Sequence, residues 1–186
     1  MRISAWVLGL VLAACPAVAQ QSRDAARGQL FDGRATLSIQ RHAFLTDRDI
    51  ATMREIPNVA QIKYYGAFAA APDAGFAAEE TTAAFNFHDL ESARRAALRG
   101  CEARRSGGAP CVVAADVVPR GYAPGRSLTL SQDASAAVRG RALRQGGGTL
   151  AASPSTGLFG IGADDGAAVA ACRNAGGAAD CAVAVR

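Results

Sequence analysis

The sequence predicts an α+β protein of two tandem small modules, each an antiparallel β-hairpin followed by a helix and a third strand, with one disulfide per module. Three observations carry this prediction. The first is an ordered pattern that occurs twice, from Ala69 to Val113 and again from Ala151 to Val185: a small apolar run, a Pro-x-x-Gly turn, a polar-capped helix ending in Cys, and a Cys opening a strand. The second is the matched spacing of Cys101 with Cys111 and of Cys172 with Cys181. The third is composition. Of 186 residues, 50% are apolar but only 6% aromatic, so the core must be built from Ala, Val, Leu and Gly, and modules this small gain from covalent staples.

The N-terminus reads as an export signal. Arg2 precedes the apolar run Ile3 to Ala14, which is too short to span a bilayer, and Ala17-Val18-Ala19 stands before Gln20 as a small-x-small cleavage site. Residues 1–19 are therefore expected to be a signal peptide cleaved after Ala19, giving a periplasmic or secreted product. Leu12-Ala13-Ala14-Cys15 competes as a lipobox, which would make a lipoprotein acylated at Cys15; Pro16 and the cleaner site downstream favour the cleaved form. Either route takes Cys15 out of the thiol count and leaves an even number of cysteines for pairing. No later segment reads as a transmembrane helix.

Residues 20–44 are expected to form a flexible polar lead-in, Gln20 to Gly28, and a hairpin turning at Asp32-Gly33, with Ala35, Leu37 and Ile39 alternating beyond it. Residues 45–118 form the first module. Thr46 with Asp49 starts a helix carrying Ile50 and Met53, which Pro57 should stop. Val59 to Ala71 reads as a strand, Pro72 to Gly75 as a turn, and Phe76 to Phe87 as a return strand interrupted by Glu79-Glu80. Asp89 caps a helix whose Leu90, Ala93, Ala97, Leu98 and Cys101 form one apolar stripe, and Cys111 to Val118 is the third strand.

Residues 119–127, with Gly121, Pro124 and Gly125, form a linker to the second module, residues 128–186. There Ser131 opens a helix weakened by Gly140 and ended by Gly146-Gly147-Gly148. Thr149 to Ala152 and Leu158 to Gly162 flank the second turn, Asp164 caps the helix ending at Cys172, and Cys181 to Arg186 closes the chain as a strand. The second copy is the shorter, and the difference falls in the Phe76–His88 stretch of the first. Gly33-Arg34-Ala35-Thr36-Leu37-Ser38 is also faintly similar to Gly125-Arg126-Ser127-Leu128-Thr129-Leu130-Ser131, which would start the duplication upstream of the turn.

Four cysteines allow three pairings; the duplicated context favours the two local ones, Cys101 with Cys111 and Cys172 with Cys181. No Cys-x-x-Cys is present, which argues against a zinc knuckle or a thioredoxin-like redox pair. The runs Gly66-Ala67-Phe68-Ala69-Ala70, Pro72-Asp73-Ala74-Gly75, Ala93 to Cys101 and Cys111-Val112-Val113 resemble the small secreted bacterial domain DUF4189. Ala151 to Gly157, Ala168 to Cys172 and Asp180 to Val183 resemble it more compactly. The resemblance implies no established activity and brings no catalytic residues. Exported proteobacterial chains similar to this one also go by the name 5-aminolevulinate synthase. That enzyme needs a lysine Schiff base and a phosphate cradle for pyridoxal phosphate, whereas Lys63 is the only lysine here and Gly146-Gly147-Gly148 leads into a strand.

Candidate chemistry is sparse. His88-Asp89, with Glu79 and Glu80 nearby in sequence, could suggest a general base or a metal site. His42 and His88, in different elements and without ligand spacing, read more simply as surface or cap residues. Asp164-Asp165 fits a helix cap, and neither Gly-x-Ser-x-Gly nor His-Glu-x-x-His occurs. No catalytic, metal or cofactor residue is assigned, and no cofactor is expected. Arg94, Arg95, Arg99, Arg104 and Arg105 form the densest basic group, with Arg139, Arg141 and Arg144 a second. They read as solvated helix faces or as a docking surface for an anionic partner. Nucleic acid is not expected, because the chain is exported and lacks stacking aromatics among its arginines. The sequence thus points to a non-enzymatic envelope or secreted binding module, its partner an anionic envelope surface or another envelope protein. The alternatives are an enzyme of unrecognised type and a structural envelope component.

Overall fold

The computed structural model describes residues 20–31, 33–141, 143 and 148–186. The expected signal peptide with Cys15, Asp32 of the expected turn, Arg144 and the Gly146-Gly147 helix stop lie outside the described residues.

The described residues form two antiparallel sheets with helices packed on them. In the first, β1 (Ala35–Ile39), β4 (Val112–Pro119), β2 (Gly66–Ala70) and β3 (Thr82–Ala84) lie side by side in that order; in the second, β6 (Phe159–Gly162), β5 (Thr149–Ala152) and β7 (Ala182–Val185) do. Both halves share one plan: return strand, first strand, third strand. Each third strand reaches its place through a helix, α3 (Leu90–Arg104) in the first half and α5 (Asp165–Asn174) in the second. Each half carries one disulfide, Cys101–Cys111 and Cys172–Cys181, with Cα atoms 6.2 and 6.1 Å apart.

Strand alternation decides which layer each residue serves. Ala67 and Ala69 of β2 pack with Ala97, Cys101 and Cys111 under α3, while Phe68 and Ala70 face Ile50 and Met53 of α2 (Asp47–Val59). In the second half Ala151 packs with Ala168, Cys172 and Cys181 under α5. Leu150 and Ala152 turn to the opposite face, towards Ala26 of α1 (Arg23–Gln29) and Ala134 and Val138 of α4 (Gln132–Arg139). The disulfide face of each sheet is thus lined by Ala and Cys, which let the helix come close but bury little area. The staple supplements that face in both copies.

The turn of each half is tied to its own disulfide loop, with the roles exchanged. In the first half the turn residue Asp73 accepts the Ala109 N–H at 2.7 Å. In the second half the loop residue Asp180 accepts the Ser153 hydroxyl at 2.5 Å and the Ser155 N–H at 2.9 Å. The helix caps follow the sequence reading: Thr46 and Asp49 form a capping box, and Asp89, Ser131 and Asp164 each accept a backbone N–H of the first turn.

Four expectations are corrected. The polar lead-in is the helix α1, capped by Ser22 and seated on the second core through Ala26. Among the described residues no upstream strand pairs with β1 as a hairpin; β1 pairs with the distant β4, Ala35 opposite Pro119 through Ile39 opposite Ala115. Pro57 does not stop α2, which ends at Val59, because its missing N–H removes only one bond in the last turn. The strands flanking the first turn are shorter than expected. Lys63 and Tyr64 are drawn off towards α4, and residues 76–80 form turns, with Thr81 Oγ1 donating to Phe76 O at 2.7 Å.

Candidate functional site

His88 is not a surface residue. It is only 4% exposed and bridges the two halves: Nδ1 accepts the Ser131 N–H at 2.9 Å, and Nε2 donates to Leu158 O at 2.8 Å. The acceptor role of Nδ1 fixes the neutral tautomer with its proton on Nε2. Burial pushes the imidazole below its ordinary pKa; the Leu158 carbonyl and the carboxylates of Asp89 and Asp180 oppose this without overcoming it. The neighbours of His88 on the same connection do similar work. Asn86, at φ 64°, accepts the Asp133 N–H at 3.2 Å and donates to its carboxylate at 3.0 Å, satisfying the first turn of α4 from the other half. Ser92 Oγ donates to Pro154 O at 2.9 Å, and Lys63 pairs with Asp133 at 2.6 Å. Gly157 lies so close to Asn86 that an added Cβ would stand 1.9 Å from its carbonyl oxygen.

The stretch that makes the first copy longer than the second therefore ends in the joint between them. Sequence reading marked it as irregular but not as a joint, since its partners are 43 to 70 residues away along the chain. Glu79 and Glu80, near His88 in sequence, flank Arg104, whose Nη1 donates to Glu79 O at 3.3 Å. No base, acid and nucleophile converge there.

The five arginines predicted as a basic surface separate into two sets. Arg94 is bound on the sheet: Nε and Nη2 grip the buried Asp116 at 2.8 and 2.7 Å, and Nη1 meets Glu91 at 2.5 Å. Hydrogen bonding to Asp116 raises its pKa further, so it stays cationic. Arg105 is held by Glu102 at 2.7 Å and by Gly108 O at 2.8 Å. Arg95, Arg99 and Arg104 are exposed, with Arg95 reaching Ser92 Oγ at 2.8 Å. Of the second group, Arg139 ends α4 and Arg141 is exposed just beyond it.

His42 is half-buried, with Nε2 2.8 Å from Val113 O and its ring stacked on Phe44. Asp164 is a helix cap, and Asp165 pairs with Arg186, which holds its carboxyl below the usual range. Among the described residues there is no group of three or more His, Cys, Asp or Glu placed to hold a metal ion, and no helix long and apolar enough to cross a membrane.

A second set of arginines, which the sequence reading did not group, meets around a groove of about 710 Å³. Arg34, Arg120 and Arg126 line it with Phe31, Gly33 and Gly121. The Arg126 guanidinium lies 3.7 Å over the Phe31 ring and donates to Gln29 O. The chain matches no protein-family model, no curated protein and no solved structure.

Proposed function

We propose that this chain is an exported, non-enzymatic binding module of two DUF4189-like units that docks on an anionic component of the bacterial envelope. The observation that carries the reading is the use made of His88. The one imidazole beside a carboxylate in sequence is buried with both nitrogens engaged by backbone groups of the other half, so it serves a joint between modules. Two disulfides support residence in an oxidising compartment. The exposed Arg95, Arg99 and Arg104 on α3 supply a positive face for the partner.

The test is co-sedimentation of the oxidised protein with envelope membranes across a salt series. Binding should weaken steadily as salt rises, because exposed charges are screened within about 10 Å at 0.1 M ionic strength. An Arg95→Gln, Arg99→Gln double variant should bind less at low salt. Binding indifferent to salt would overturn the proposal. Intact mass of the exported product, with and without reductant, separates cleavage after Ala19 from acylation at Cys15.

A further inference from the structure

We infer that the groove lined by Arg34, Arg120 and Arg126 is a binding site for a phosphate-bearing anion, either free or as the headgroup of an envelope lipid. The backbone puts the first two cations together. Ala35 lies opposite Pro119 in the β1–β4 ladder, and the ladder continues one step further through Arg120 N–H donating to Arg34 O at 2.9 Å. Residues opposed across an antiparallel pair share a face, with Cβ atoms about 5 Å apart, and like charges placed so repel.

Neither arginine side chain has a hydrogen-bonding or ion-pairing partner among the described residues, and both residues are exposed. This contrasts with Arg94 and Arg105, each held by a carboxylate. The third cation is brought in by the linker. Gly121 and Gly125, at φ 75° and 87°, fold residues 121–125 back so that Arg126 stacks on Phe31 and reaches Gln29. Only one of its five N–H donors is committed there, to Gln29 O.

Three arginines therefore line the groove, and the described residues of its lining carry no carboxylate. An anion removes the repulsion, and the planar forks suit phosphate oxygens two at a time. The size fits a small ligand rather than a chain. Two of the three arginines come from the repeated Gly-Arg stretches, Gly33-Arg34 and Gly125-Arg126, so one element of each copy contributes to the same groove.

The inference rests on the envelope role only for the lipid source of its ligand, and the two can fail separately. Titration calorimetry of the oxidised exported protein with inorganic pyrophosphate is the direct test. Binding is expected, weakened about tenfold or more by Arg34→Gln or Arg120→Gln and unchanged by Arg173→Gln on the exposed end of α5. Thermal unfolding of the unliganded Arg34→Gln variant should show a midpoint equal to or above that of the parent, since a repulsion is removed.

Vesicles carrying a phosphomonoester headgroup, set against neutral vesicles, separate the sources. Capture that pyrophosphate competes away assigns the lipid headgroup, and pyrophosphate binding without capture assigns a free anion. No pyrophosphate binding, or binding that both groove variants leave intact, overturns the site. If that occurs while envelope sedimentation stays salt-sensitive, the docking role stands without the groove. If pyrophosphate binds but sedimentation ignores salt, the groove stands without the docking role.

Discussion

At the level of single residues, His88 couples the joint to pH. Its Nδ1 accepts from Ser131, so adding a proton there sets two donors against each other inside a buried contact. Its folded pKa lies below the ordinary value of about 6.5, so the unfolded chain takes up the proton first as pH falls. Stability is therefore full above pH about 6.5 and is lost as pH falls through it towards the lowered folded value. Urea unfolding at pH 7.5 and 5.5 should show the fall, and a His88→Gln variant should show less of it. An equal fall in both would remove His88 as the cause. His88→Ala leaves the buried Ser131 N–H without an acceptor and should cost about 1–3 kcal/mol at neutral pH; Leu158 O keeps a bond from Ser153 N–H.

Between elements, the closest approach is that of α5 to β6. A Cβ added at Gly160 would stand 2.1 Å from Cys172 N and one at Gly162 2.3 Å from Ala168 N, both helix backbone atoms that cannot yield without moving the helix. Gly160→Ala should therefore destabilise by about 1–3 kcal/mol or more, measured by denaturant unfolding. In the first half the glycine is on the helix instead, where Gly100 faces Thr82 of β3, whose Cγ2 would stand 2.5 Å from an added Cβ. The staples on the same faces close loops with sequence separations of 10 and 9 residues. Replacing either pair by alanines should cost about 2.5–3 kcal/mol on the chain-entropy account.

What the sequence reveals at this scale is local. Caps at Thr46, Asp89, Ser131 and Asp164 depend on neighbours a few residues apart and could be read directly, while the cysteine pairing, over separations of 10 and 9 residues, is favoured by the duplicated context. The local turn between Phe76 and Thr81 shortens β3, whereas the partner of β1, the shortening of β2 and the position of His88 depend on contacts 43 or more residues away. No periodicity encodes these. The groove arginines escaped for the same reason, being 34, 120 and 126 in the chain and adjacent only once β1 and β4 pair.

For the whole molecule, residues 20–23 and 186 close the second sheet. In the first sheet β4 is covered on its far side by β1; in the second, β7 is met there by the N-terminal segment, Gln21 pairing in parallel with Val185. Gln21 N–H donates to Ala184 O at 3.2 Å, Arg186 N–H to Gln21 O at 3.0 Å and Arg23 N–H to Arg186 O at 2.8 Å, while the Arg186 guanidinium reaches Gln20 and Asp165. The cleavage point expected after Ala19 would leave Gln20 as the first residue of this edge. Deleting residues 20–29 strips β7 of its pairing on the side away from β5 and removes Ala26 from the second core, exposing a strand edge of the kind that invites association. Amide exchange should then lose protection in Thr149–Ala152 and Ala182–Val185 while Gly66–Ala70, sealed in the other sheet, keeps it. Equal loss in both sheets would mean that the halves unfold as one unit through the His88 joint. Retained protection in both would mean that the N-terminal edge contributes nothing.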